Sequence, residues 1–267
     1  MNKKLEKELI EKIKKDPYVL ETIEEQTEEI CLEAVKIDGY CLQYVKNQTE
    51  NICLEAVKNY GLSLIYVKDQ TLKVCLEAIN KNGYALQYVK NQTEELALAA
   101  VNINGYTLEY VKNQTEEICL EAVRQNPIAI QFVNDQTKCI CLEAVKRNPY
   151  ALHYINDQTE EICLEAVKNK VACLEYIRDK TDKIYLEAFK DNFDAMYFVD
   201  IHQRRIALLM VTASLHHKNK DVNILTKIIK EFSEDEEFIN FYTKHKLWKY
   251  VDFKQLNNKI IQYSMIL

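Results

Sequence analysis

All four glycines and all three prolines of this 267-residue chain fall on one arithmetic series. Pro17, Gly39, Gly61, Gly83, Gly105, Pro127 and Pro149 stand 22 residues apart, and no Gly or Pro occurs elsewhere. A fixed period of this size is the signature of a repeat array, in which each repeat is one supersecondary unit stacked on its neighbours. Average usage would supply roughly 7% Gly and 5% Pro, so the scarcity excludes collagen, Gly/Ser linkers and turn-rich all-β chains. It also excludes nucleotide-binding glycine loops, which need several glycines close together so that backbone N–H groups can approach phosphate.

Threonine marks each unit, at Thr27, Thr49, Thr71, Thr93, Thr115, Thr137, Thr159 and Thr181. Gln precedes it in every case but the last, where Lys180 stands. The phrase that follows, for instance Glu116 to Val123, puts apolar residues three, four, five, seven and eight places after Thr. That is one broad helical face, with Thr as N-cap and a Glu pair at the positive end of the helix dipole. A second phrase, such as Tyr84 to Lys90, reads as a strand or as a short helix. A strand would leave Gln87 beside Ala85 and Val89, whereas a helix gathers Ala85, Leu86 and Val89 and turns Gln87 and Lys90 outward. The hinge agrees with the helix: Asp16-Pro17, Asn126-Pro127 and Asn148-Pro149 are N-cap followed by Pro at the first helical position. Gly, Val171 and Phe193 share that slot, so it does not demand a positive φ.

The expected fold is therefore all-α: an α-solenoid of about nine 22-residue helix-pair repeats with a C-terminal helical cap. Residues 1–26 read as a degenerate N-terminal capping repeat, residues 27–202 as eight αα repeats and residues 203–267 as a helical C-terminal cap. The last segment carries a capping-box start at Ser233 with Glu236, and Trp248, Tyr250 and Phe253 give it the makings of a core. Charge divides unevenly, with 24 basic and 34 acidic side chains in residues 1–202 against 11 and 7 in residues 203–267.

Nothing in the pattern calls for a cofactor, a metal or catalysis. Six of nine cysteines share one column, Cys31, Cys53, Cys75, Cys119, Cys141 and Cys163, in which Ala97 and Tyr185 also occur. The slot asks for apolar packing, and neighbouring units about 10 Å apart exceed disulfide reach; free buried thiols in a reducing compartment follow. The five histidines have no ligand-spaced or catalytic partners. Asn47, Asn91 and Asn113 match the glycosylation triplet, but Asp69, Asp135 and Asp157 fill the same column, so it is a turn column. With a charged N-terminus and no apolar run of membrane-spanning length, the expected setting is intracellular, not secreted and not membrane-bound.

Tyrosine ladders at Tyr40, Tyr84, Tyr106 and Tyr150, and at Tyr44, Tyr66, Tyr88, Tyr110, Tyr154 and Tyr176, could stack nucleobases. The acidic surplus of the repeats speaks against nucleic acid and for rings packed between units. Variation between near-identical repeats is the better guide to a displayed surface. One outward slot of the second helix runs Gln43, Ile65, Gln87, Glu109, Gln131, His153, Glu175 and Tyr197, which are the candidate partner-binding residues. Another, at the end of the first helix, runs Ile37, Asn59, Lys81, Ile103, Gln125, Arg147, Asn169 and Asp191.

The phrases Asn-Gln-Thr-Glu-Glu-Ile-Cys-Leu-Glu-Ala-Val-Lys and Asn-Gly-Tyr-Ala-Leu-Gln-Tyr-Val-Lys, seen between Asn91 and Lys146, resemble a repeat family of unknown function found in giant DNA viruses of amoebae and in some protists. The likeness covers roughly residues 16–200. It implies a helical repeat protein with no assigned activity, no catalytic residues to carry over, and a setting in which the partner would be a host protein. The expected function is a non-catalytic protein-protein interaction scaffold, whose C-terminal segment could dock a second partner or a second copy of the chain. The alternative is a nucleic-acid binder using the tyrosine ladder or the basic C-terminal helices.

Overall fold

The computed structural model describes residues 3–191, with side chains to 188. Tyr197 and the expected cap at residues 203–267, with its Ser233 and Trp248, lie outside the described residues. The α-helices are α1 (Lys3–Lys15), α2 (Glu28–Ile37), α3 (Glu50–Asn59), α4 (Leu72–Lys81), α5 (Glu94–Ile103), α6 (Glu116–Gln125), α7 (Lys138–Arg147), α8 (Glu160–Asn169) and α9 (Asp182–Asp191). Between them lie six-residue 3-10 helices, η1 (Pro17–Thr22), η2 (Gly39–Tyr44), η3 (Gly61–Tyr66), η4 (Gly83–Tyr88), η5 (Gly105–Tyr110), η6 (Pro127–Phe132), η7 (Pro149–Tyr154) and η8 (Val171–Tyr176). The architecture is all-α, with helix pairs repeating every 22 residues.

Local chemistry sets each boundary. Thr27 Oγ1 accepts the Ile30 N–H at 3.4 Å, and Thr49, Thr71, Thr93 and Thr115 repeat the bond, so each α-helix starts at its threonine. The second helix mostly starts directly after an Asp or Asn cap that accepts the N–H two residues on, as when Asn82 Oδ1 accepts the Tyr84 N–H at 3.0 Å. It closes when Val89, in extended conformation, donates back to the Leu86 carbonyl at 3.1 Å. This second element is a helix, as its polarity pattern requires, but wound tighter than an α-helix. The reason is its period. Gly83 and Leu86 are three apart, side chains three apart eclipse in a 3-10 helix, and both are buried, with Ala85 and the extended Val89 buried beside them.

The chain divides into two compact units, Met1–Ala144 and Val145–Leu267. In the first, α1 to α6 pack each on the next and η1 to η6 form a second row beside them. In the second, α8 packs on α9 and η7 on η8. The core between the rows repeats with the sequence: Ile30, Cys31, Ala34 and Val35 of α2 and Cys41 and Leu42 of η2 are all at most 2% exposed. The two rows approach closely at the glycine column, since a Cβ on Gly61 would stand 2.6 Å from the Ala78 carbonyl oxygen and one on Gly83 3.1 Å from that of Ala100. None of the four glycines has a positive φ; closeness, not backbone freedom, is what Gly supplies here.

Side chains then bond each repeat to the next. Gln70 Nε2 donates to the Leu64 carbonyl of its own repeat at 3.3 Å and to the Tyr88 carbonyl of the next at 2.9 Å, while its Oε1 accepts the Lys90 N–H at 2.9 Å. Gln26, Gln48, Gln92 and Gln114 make the same three bonds in the first unit, and Gln158 makes them in the second. Threonine does double duty. Besides capping its helix, Thr71 donates its hydroxyl to Glu50 at 2.7 Å, one repeat back, as Thr27, Thr49, Thr115 and Thr137 do to Glu6, Glu28, Glu94 and Glu116. Lysine adds a third tie: the Lys46, Lys68, Lys90 and Lys112 ammoniums each donate to a backbone carbonyl 22 residues earlier.

Two predictions follow from these contacts. Gln70→Ala removes three bonds, leaving the Tyr88 carbonyl and the Lys90 N–H unmatched while the Leu64 carbonyl keeps the Val67 N–H, and should cost about 1.5–4.5 kcal/mol of stability at about 0.5–1.5 per bond. Asn91→Ala, one residue before the next such glutamine, should stay within about 0.5 kcal/mol. Urea unfolding followed by circular dichroism separates the two. By the same measurement Gly61→Ala should lose about 1–3 kcal/mol to overpacking and Gly83→Ala less, in the order of their distances to the facing carbonyl.

Candidate functional site

A 3-10 helix that buries its first and fourth positions turns its second and fifth outward together. The fifth position is the variable slot, and its residues stand in a row along the first unit. Gln43, Ile65, Gln87, Glu109 and Gln131 are all exposed, Ile65 to 49%. Glu21 of η1 belongs to the same row, although the first repeat reads in the sequence only as a degenerate cap. In the second unit His153 and Glu175 hold the equivalent place and are exposed. Gln87 and Gln131 donate to the carbonyls of Tyr84 and Ile128, three residues back in their own helices, at 3.0 and 3.2 Å. No hydrogen bond ties the five first-unit side chains to a neighbouring repeat among the described residues. His153 differs, lying edge-on to Tyr154 and Tyr176 at 5.0 and 5.3 Å.

The tyrosines frame this row and are packing residues. The second position of one 3-10 helix meets the sixth position of the next edge-to-face, as in Tyr18–Tyr44, Tyr40–Tyr66, Tyr84–Tyr110 and Tyr106–Phe132 at 5.9–6.1 Å. Tyr150 and Tyr176 pair in the same way in the second unit. The row carries two carboxylates in the first unit, Glu21 and Glu109. The Glu109 carboxylate raises the Tyr110 phenol above its ordinary pKa, and burial followed by Glu21 does the same for Tyr44. Tyr60 interrupts the pattern, replacing the Asn or Asp cap of η3, bonding no backbone there, and stacking on Tyr40 at 4.6 Å.

The second variable column is only partly a displayed surface. Ile37 and Ile103 are exposed to 43% and 42%. Asn59, by contrast, accepts the Gly39 N–H at 2.9 Å and donates to the Lys36 carbonyl at 2.8 Å, and Gln125 accepts the Gly105 N–H at 2.6 Å. Those amides complete the glycine N–H of the preceding repeat. The amide is not general to the column, since Ile37 stands opposite Pro17 and Ile103 opposite Gly83.

The cysteines are free; eight are buried and Cys139 is exposed. Their column does more than pack: Cys31, Cys53, Cys75 and Cys119 aim their thiols at the Oε1 of the glutamine five residues earlier, at 3.6–4.0 Å. Burial pushes Cys31, Cys53, Cys119 and Cys163 up to about 11 and Cys41 up to about 12. Among the described residues no group of three or more His, Cys, Asp or Glu is gathered as for a metal ion, and no helix is long and apolar enough to cross a membrane.

Unfolded thiols ionise near about 8.5, so above that pH the unfolded chain releases protons that the folded chain retains. Stability should be flat up to that pH and fall as pH rises through about 11. A pH series of urea midpoints should show that fall, and Cys53→Ala with Cys119→Ala should make it shallower.

The family described as "Domain of unknown function (DUF4116)" matches six overlapping stretches, residues 27–73, 49–92, 72–115, 93–138, 115–160 and 137–181. Each spans about two of the repeats. No curated protein and no solved structure matches the chain.

Proposed function

We propose, on the premise that this chain belongs to the DUF4116 repeat family, that it is a non-catalytic protein-binding scaffold acting inside the cell. The docking face is the outward edge of the 3-10 row. One observation carries the reading: Gln43, Ile65, Gln87, Glu109 and Gln131 vary from repeat to repeat, are exposed, and have no part in joining the repeats. The glutamine, threonine and lysine columns, in contrast, are committed to that joining. A rigid stack that presents one variable side chain per step, framed by tyrosines, suits protein recognition, where aromatic rings supply contact area at small entropic cost and amides both donate and accept hydrogen bonds. The acidic surplus of the repeats and the edge-to-face pairing of the rings disfavour a nucleobase stack.

Affinity capture tests the proposal, with the full chain compared against a variant carrying Gln43→Ser, Gln87→Ser, Gln131→Ser and His153→Ser. The expected result is a protein partner retained by the first and lost by the second, at a melting temperature changed by no more than a few degrees. A partner retained equally by both, or recovery of nucleic acid alone, would refute it.

A further inference from the structure

The edge that carries the threonines holds a second, different feature. At this edge a cleft opens between neighbouring repeats at two places, between Thr71 and Thr93 and between Thr115 and Thr137. Between Thr115 and Thr137 it is small, about 150 Å³, bridged by the Glu116–Thr137 hydrogen bond and lined by two carboxylates, Glu116 and Asp135. Two steps of the array break the carboxylate row, one with Lys138 and the other with an apolar residue, Leu72. Leu72 takes the place held by Glu28, Glu50, Glu94 and Glu116, and Lys73 follows it where Glu29, Glu95 and Glu117 stand elsewhere.

Three consequences are visible in the structure. The cleft there grows to about 390 Å³, within the range of small-ligand sites. Leu72 is 48% exposed at its mouth, over Leu96, which is 2% exposed. The Thr93 hydroxyl, which caps α5 by accepting the Leu96 N–H, donates to no carboxylate, although Thr71 and Thr115 on either side do. The charge also inverts, because Lys68 and Lys90 line this cleft against a single carboxylate, Asp69. Both ammoniums are held in place by backbone carbonyls, Lys68 by that of Lys46 at 3.0 Å and Lys90 by those of Lys68 at 2.6 Å and Val67 at 3.3 Å, which leaves Lys68 two protons and Lys90 one to donate.

The geometry points to this cleft as a binding site for an acidic peptide segment of a partner protein, one that presents a Glu or Asp beside an aliphatic residue. The peptide carboxylate takes the position that Glu fills in the other repeats, accepting from the Thr93 hydroxyl beside the Lys68 and Lys90 ammoniums. The aliphatic side chain covers Leu72. Asn91, which lines the cleft and makes no side-chain hydrogen bond among the described residues, is left to the peptide backbone. The site lies on a different edge from the fifth-position row and stands whether or not that row binds anything.

The test is a titration of the full-length, isotopically labelled chain with six-residue peptides carrying Glu-Leu, Gln-Leu or Lys-Leu at their centre, and with hexanoate. The Glu-Leu peptide should shift the backbone amides of Leu72, Asn91 and Thr93, and the Gln-Leu and Lys-Leu peptides should bind at least tenfold more weakly. Leu72→Glu should reduce Glu-Leu binding at least tenfold without lowering the melting temperature, because it restores the missing Thr93 acceptor. The quadruple fifth-position variant should bind the peptide unchanged. Absence of shifts with Glu-Leu, equal binding of the Gln-Leu or Lys-Leu peptide, or full binding by Leu72→Glu would overturn the proposal. Binding of hexanoate as tight as that of the peptide would replace the peptide by a free aliphatic acid and overturn it as stated.

Discussion

A glutamine carboxamide wired to three backbone groups joins one repeat to the next, and the rest of the arrangement depends on it. The 3-10 helix ends in a turn with backbone groups that have no intrahelical partner, such as the Tyr110 carbonyl and the Lys112 N–H, and such groups are costly to leave unmatched where water is excluded. An amide can donate twice and accept twice. At Gln92 it donates to the Leu86 and Tyr110 carbonyls and accepts from the Lys112 N–H, so one side chain completes the turns of two repeats together. A carboxylate would lose both donors and an aliphatic side chain all three bonds. At Gln26, Gln48, Gln70 and Gln114 the cysteine thiol adds a further, weak donor to the same oxygen.

This wiring accounts for which columns are constant and which vary. Thr and Gln serve both their own repeat and its neighbour, so a change at one position is felt by two units. Where Lys180 replaces the glutamine, its ammonium donates to the Ile177 carbonyl at 2.7 Å. An ammonium has no acceptor to offer a following N–H, so the three-bond tie cannot be made from that residue. Positions outside the wiring are free to differ, and the fifth residue of the 3-10 helix is the clearest of them. Stability built this way is a sum over neighbouring pairs, so the surface can change one repeat at a time.

Much of this was legible in the sequence because its causes are local. The glycine and proline series gives the period, a capping threonine lies three residues before its N–H, and a capping Asn or Asp lies two before its own. The second helix was legible as a helix but not as a 3-10 helix, because six residues are too few for periodicity to separate three from 3.6 per turn. The glutamine column was visible and its purpose was not. Its partners are backbone atoms 18 and 20 residues on, and sequence names side chains, not backbone groups in space. The same distance hid the Thr–Glu tie and the part Asn59 and Gln125 play in completing glycine N–H groups. The exposed fifth-position row was readable as variation, whereas the Leu72 cleft needed the knowledge that Glu at that place bridges two repeats.

Amide hydrogen exchange tests the central claim most directly. Lys46, Lys68, Lys90 and Lys112 lie in exposed turns, where a backbone N–H would exchange at nearly its free-peptide rate unless something held it. If the glutamine oxygens hold them, these four amides exchange as slowly as the helix amides of their own repeats, and they speed up one at a time when the matching glutamine is replaced. Fast exchange at all four in the unmodified chain would contradict the account.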